Sequence, residues 1–339
     1  MYTGGIIDIL ILMKNIEKLK MTYQEYVMNI MYINPSKKMF KTPILFLIFS
    51  RPDTTIKVFE RIRDIKPAKL YVAADGPREN RQGEAIRCAE TREIINKIDW
   101  PCELKTLYRE KNLGCKLAVS SAISWFFEQE EYGVILEDDC LPDLSFFPFC
   151  EELLIKYKDD DRIGHIGGDC FLPELLPKNL SYDFCSFVHI WGWASWRRVW
   201  KNYDVHFSYW TKYKNDKNKR NSLFKSLREK IYFSSSITDA IEGLNGINTW
   251  DTQYLFTIRA QHQLCIYPSV NLVTNIGLGD VNGTHTTKKN DKVFISQKTM
   301  SFPLIHPSYI ISNYNINKRT IKKFFFSYKR LLRYIFGNY

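Results

Sequence analysis

No Cys-x-x-Cys pair occurs in the 339 residues, so a zinc ribbon or a dithiol redox site has no support. No run of about 18 uncharged apolar residues occurs either, which argues against a spanning transmembrane helix. The apolar stretch Gly4 to Met13 contains Asp8 and has no basic residue before it, a poor match to a secretory leader. Internal repeats are absent. Acidic residues are missing from Lys318 to Tyr339, where seven basic residues stand. Without those seven the net charge of +11 falls to about +4. A nucleic-acid partner is therefore not expected, since its binder would carry basic charge along a folded face.

What is present describes a folded chain. Hydrophobic residues make up 45% and charged residues 25%, which excludes wholesale disorder. Eight cysteines fall mostly in apolar runs and read as free, buried thiols of a reducing cytoplasm. Residues 1 to 40 form an extension without a domain signature. Met39 directly precedes the first clear strand, so either Met1 or Met39 could be the start.

From residue 43 the pattern is regular. Pro43 to Phe49 and Lys69 to Ala74 are continuous apolar runs, as in strands buried on both faces. Leu104 to Tyr108 and Tyr132 to Leu136 read as two more strands. Helical spacing lies between them, over Pro52 to Ile65, Gln82 to Ile98 and Leu117 to Phe127. This alternation predicts an α/β fold: one domain with a mostly parallel nucleotide-binding sheet flanked by helices. Beyond Pro142 the expected elements are short strands at 163–166 and 184–190, helices at 193–200 and 250–261, and a strand at 264–267. Lys212 to Arg220 and Asn271 to Asn290 read as loops.

Ligands of open α/β sheets bind beyond the carboxyl ends of the strands. Three such ends carry polar residues: Ser50-Arg51, Asp75-Gly76 and Glu137-Asp138-Asp139. Three adjacent acids need a positive partner, and hard carboxylate oxygens suit Mn²⁺ or Mg²⁺ bridging a diphosphate. A solvated acidic turn is the bland alternative. Asp75 could equally be a turn residue before glycine, and Arg51 a surface residue before Pro52. Lys116 follows Gly114 at a helix start, where free N–H groups suit a phosphate.

The segment YGVILEDDCLPDLSFFPFCEELL resembles the acidic region of GT-A fold glycosyltransferases. It is similar to both the bacterial family-two-like sugar transferases and the Golgi N-acetylglucosaminyltransferase that initiates complex N-glycans. PILFLIFSRP, LYVAADGP, WGWASWRRVW and TWDTQYLF resemble further blocks of the family, in the same order, over about residues 43 to 290. The resemblance implies an inverting, metal-dependent glycosyltransferase that uses a nucleotide-diphosphate sugar donor, UDP-linked. It implies Asp139 as metal ligand, with Asp138 and Glu137 on ribose and sugar hydroxyls. Asp75 would meet the uracil and Arg51 the nucleotide. Asp251 would be the general base, with Trp193 and Trp250 on the acceptor side. His285 would come from a late loop to the metal or diphosphate, and glycines 277, 279 and 283 would let that loop close. One departure is Trp250-Asp251-Thr252, where the Golgi enzyme has two successive acids.

The donor half would span about 41–142 and the acceptor half about 143–300. The tail, 301–339, mixes cations with aromatics and suits an anionic membrane surface. The competing expectation packs it on the catalytic domain. The acceptor would be a glycan or lipid-linked glycan, and the enzyme cytoplasmic, peripheral at the inner face of the plasma membrane. Two other classes stay open. A sugar nucleotidyltransferase would need a glycine-rich basic loop after the first strand, which FSRPDTTIK lacks. A non-catalytic carbohydrate- or membrane-binding protein would not need the intact acids.

Overall fold

In a computed structural model, residues 39–224, 226–243, 248–278, 295–325 and 328–336 are described. The first half runs β1 (Ile44–Ile48), α1 (Pro52–Ile65), β2 (Lys69–Ala74), α2 (Glu84–Glu93), β3 (Glu103–Tyr108), α3 (Gly114–Gln129) and β4 (Tyr132–Glu137). β1 is buried at every residue, as an apolar run between two helix layers must be. α1 starts with Pro52 in its first turn and buries Thr55, Val58, Phe59 and Ile62 on one stripe.

The second half holds β5 (Cys140–Pro142), α4 (Phe146–Lys156), β6 (Ile163–Gly167), β7 (Tyr182–Cys185) and β8 (Trp193–Trp196). Then come α5 (Arg197–Trp200), α6 (Ser208–Tyr213), α7 (Lys217–Leu223), α8 (Leu227–Glu242) and α9 (Asp251–Ala260). β9 (Leu264–Pro268), β10 (Val273–Asn275), α10 (Tyr314–Thr320) and α11 (Tyr328–Ile335) complete it. The eight-stranded sheet has the order β3-β2-β1-β4-β8-β6-β9-β7. β1 to β4 are mutually parallel, and β8 inserts antiparallel between β4 and β6. The expected α/β architecture with a mostly parallel sheet is what the chain adopts.

Two details position the site. β5 pairs antiparallel with β10, so the chain directly after the acidic triplet is tied to Asn275 and the residues that follow it. Gln297 Nε2 donates to the carbonyls of Leu141 and Leu272, clamping that small sheet.

Four expectations are corrected, the first being the loop expected over 271–290, where Val273–Asn275 forms β10 and residues 279–290 lie outside those described. Trp193–Trp196 is a strand, not the start of a helix, because every residue of it is buried between β4 and β6. Residues 212–220 are largely helical: Asp216 caps α7 by accepting from the N–H groups of Asn218 and Lys219. The strand expected at 184–190 ends at Cys185.

The main core surrounds the sheet and draws in Met300, Leu304 and Ile316. A second core joins Phe187, Phe224, Phe233 and Phe256 to Ile321, with Phe325 packed on it. The tail is therefore partly built into the body. All eight cysteines are free thiols. No helix among the described residues is long and apolar enough to cross a membrane.

Candidate active site

A cleft of about 620 Å³ lies beyond the carboxyl ends of β1, β2 and β4. It brings together Arg51, Asp75, Glu137, Asp138, Asp139, Trp250 and Asp251. The acids stand where β4 leaves the sheet. Asp138 accepts from the Phe49 N–H at 3.1 Å and from the Arg51 guanidinium, and Arg51 Nη1 also donates to Asp139 Oδ2 at 2.8 Å. One guanidinium thus spans two carboxylates. Although burial opposes its charge, Asp138 and Asp139 raise the Arg51 pKa above its ordinary value.

One cation does not offset three acids. Burial, then Asp139 and Asp138, push the half-buried Glu137 carboxyl up to about 8. Burial lifts Asp138 to about 6 against the pull of Arg51. Full ionisation of the triplet is therefore opposed, and a divalent cation would relieve that opposition. Among the described residues no three His, Cys, Asp or Glu side chains form an all-protein cage. A cation of the Mg²⁺ type needs none, since it binds through one or two carboxylates together with substrate phosphates. The donor set at Asp139 fits such an ion.

The segment after β10 covers this pair. The Ile276 N–H donates to the Asp139 carbonyl at 2.8 Å. Gly277 lies so close that a Cβ there would stand 2.6 Å from Asp139 Oδ2 and 2.8 Å from Arg51 Nη1.

Asp75 has a second task. It accepts from the N–H groups of Gly76, Leu113 and Gly114, joining β2 to the first turn of α3. Burial raises its pKa, and those backbone donors oppose the rise. Gly114 makes the turn at φ +76°, where L residues are strained.

Asp251 opens α9, where the helix dipole favours an anion. Thr249 Oγ1 and the Thr252 N–H (2.7 Å) and hydroxyl (3.4 Å) all donate to its Oδ1. Oδ2 has no hydrogen-bond partner among the described residues. Trp250 holds the helix start in place. It stacks on Trp193 at 5.7 Å, and its carbonyl accepts from the Tyr203 hydroxyl at 3.1 Å.

Two expected site residues sit elsewhere. Trp193 is fully buried between His165, Trp250 and Tyr254 and lines neither cavity, so no face of it is open to a sugar. Lys116 does not line the cleft; its backbone N–H is taken by Asn248 Oδ1 at 2.9 Å. His285 lies outside the described residues, as do Gly279 and Gly283.

Other side chains replace them. Arg78 and Arg109, both half-buried, line the cleft near Asp75. Arg78 directly follows the Asp75-Gly76-Pro77 turn, a signal readable in the sequence. Arg109 follows β3 in the same way. Asn248 reaches from the α9 side to α3, and Trp191 is a half-buried aromatic that lines the cleft.

A second cavity of about 220 Å³ adjoins the cleft, sharing Ile190, Trp191, Asp251 and Thr252 with it. Its walls are mainly apolar, and Phe324 and Phe325 of the tail close one side. Inside are Asp169 and His189, both buried, with Nδ1 2.6 Å from Oδ1. Burial works against the His189 charge, but Asp169 outweighs it and raises the imidazole pKa. Among the described residues His189 Nε2 has no hydrogen-bond partner.

No protein-family model matches the sequence, and no curated protein matches it. Solved structures do. The chain is similar to apo-UDP-glucose pyrophosphorylase at 10% identity and a TM-score of 0.34, over 69% of this chain and 93% of that one. It is similar to 4-diphosphocytidyl-2C-methyl-D-erythritol synthase from Anaerococcus prevotii at 10% identity and a TM-score of 0.28, over 65% of this chain and 97% of that one.

Proposed function

We propose that this protein is an inverting glycosyltransferase that takes a sugar from a nucleotide-diphosphate donor, UDP-linked, in the presence of Mn²⁺ or Mg²⁺. One observation carries the reading. The acidic triplet, whose full ionisation one arginine does not offset, and Asp251, whose Oδ2 has no hydrogen-bond partner among the described residues, line the same cleft.

In this reading the nucleotide lies over the strand ends. Asp75 keeps acceptor capacity toward a base N–H, and Glu137 and Asp138 take hydroxyls. Arg109 adds positive charge for the diphosphate, while Arg78 is held by its ion pair with the buried Glu84. A metal ion at Asp139 would offset the charge that grows on the departing nucleoside diphosphate. The acceptor's terminal ring enters the second cavity beside Trp191, with its reacting hydroxyl toward Asp251. Asp251 Oδ2 takes the hydroxyl proton while the acceptor oxygen bonds to the anomeric carbon. The bond from that carbon to the phosphate oxygen breaks on the opposite face, so a single displacement inverts the configuration.

Calorimetric titration of UDP with and without Mn²⁺, on wild type and Asp139→Ala, tests the donor site. Mn²⁺-dependent binding that vanishes in the variant is expected. Equal affinity in both would remove Asp139 from the site. A panel of nucleotide sugars, assayed for hydrolysis, then identifies the donor. Pyrophosphate release from a nucleoside triphosphate and a sugar phosphate would instead assign a nucleotidyltransferase.

A further inference from the structure

The C-terminal segment has two unlike faces. Inward, Phe325 stacks on Tyr232 with centroids 4.3 Å apart, and Arg330 lies over the same ring at 5.2 Å. Phe324 and Phe325 reach the second cavity beside Asp251. Outward, Tyr328, Leu332, Ile335 and Phe336 are 78%, 54%, 62% and 73% exposed. They fall at i, i+4, i+7 and i+8, so they form one stripe along α11. A contiguous apolar stripe of this kind marks a surface that something covers.

The surrounding charge says what. Lys318, Arg319, Lys322 and Lys323 are exposed on the turns just before the stripe. No Asp or Glu follows Asp291 in the chain. A second copy docked through the same face would bring those cations face to face. An extended anionic surface with an apolar interior satisfies both the stripe and the cations.

We infer that the C-terminal segment docks the protein on an anionic lipid bilayer. Tyr328, Leu332, Ile335 and Phe336 enter the interface, and Lys318, Arg319, Lys322 and Lys323 meet lipid phosphates. The docking stands on the stripe and the cations alone. Its consequence for the reaction rests on the transferase reading: the segment that meets lipid also walls the acceptor cavity. An acceptor sugar carried on a lipid would reach Asp251 while its hydrocarbon stays in the bilayer.

The test is co-sedimentation of the full chain with phosphatidylcholine vesicles, with and without about 30% phosphatidylglycerol. Binding to the anionic vesicles is expected, at least about tenfold stronger than to phosphatidylcholine alone and weakened by about 0.5 M salt. Leu332→Glu combined with Ile335→Glu alters only exposed positions. It should lower anionic-vesicle binding about tenfold while leaving the thermal melt and the UDP titration unchanged. Wild type that fails to sediment, or a double variant that sediments equally, overturns the docking. So does a wild-type dimer that the double variant dissolves, which would give the stripe to a second copy. The UDP titration reports on the donor site separately, so failure of either reading is distinguishable from failure of the other.

Discussion

Arg51 donates to Asp139 at 2.8 Å while the same guanidinium bonds Asp138, so two adjacent buried acids share one half-buried counter-ion 87 and 88 positions before them. β1 and β4 are neighbours in the sheet, and their carboxyl ends deliver the two sides of the bridge. Removing the cation strands two carboxylates that burial already penalises.

Arg51→Ala is therefore expected to destabilise the fold by about 3 kcal/mol, the scale for breaking a buried pair. Denaturant unfolding at pH 7 checks this. The loss should shrink at pH 5, because Asp138, whose carboxyl burial lifts to about 6, is then largely protonated. A loss that does not depend on pH would mean the packing of the side chain, not its charge, matters.

Glu137 makes the fold lose stability as pH rises from the acid into the neutral range. Its pKa rises from 4.5 unfolded to about 8 folded, so the folded chain binds the extra proton between those values. Stability is fully present below about 4.5 and falls as pH rises through about 8. Glu137→Gln should raise stability at pH 8 to 9 by at least about 1 kcal/mol and change little near pH 4. Thermal melts across that range decide it; a variant that loses stability at high pH would reverse the sign.

Asp251→Asn should leave UDP affinity within a few-fold of wild type and lower sugar transfer by roughly 10²-fold or more. The amide keeps the contact with Thr252 but cannot take the acceptor proton. Donor titration alongside a transfer assay separates the two effects. Near-normal transfer would place the base elsewhere.

Gly277→Ala should weaken UDP–Mn²⁺ binding about tenfold, because its methyl group would displace Asp139 Oδ2 and Arg51 Nη1, both under 3.0 Å from the added carbon. The calorimetric titration used for Asp139 reads this directly. Unchanged affinity would show that the 275–278 segment moves aside without consequence.

The first half of the fold was readable because its buried strands are unbroken apolar runs separated by helical spacing. The second half was not. Trp193–Trp196 is buried on both faces, so it carries no period-2 signal, and its aromatics suit either element. Which tryptophan faces a ligand depends on tertiary placement: Trp193 lies beneath Trp250, while Trp191 stands at the cleft. The acids and Asp251 were legible because strand ends and helix starts are marked in the sequence. Lys116 stands out in the sequence because a helix start is visible there, whereas Arg78 and Arg109 carry no such mark. The direction in which a cation leaves a turn is not visible there.

β4 is an interior strand whose second neighbour, β8, is synthesised well after it. A nascent chain that has produced β1 to β4 therefore holds an apolar strand with one open edge until Trp193–Trp196 emerges from the ribosome. During that interval the edge can pair with another chain instead, and closing it is a race against aggregation. A fragment cut after Pro142 would never win that race.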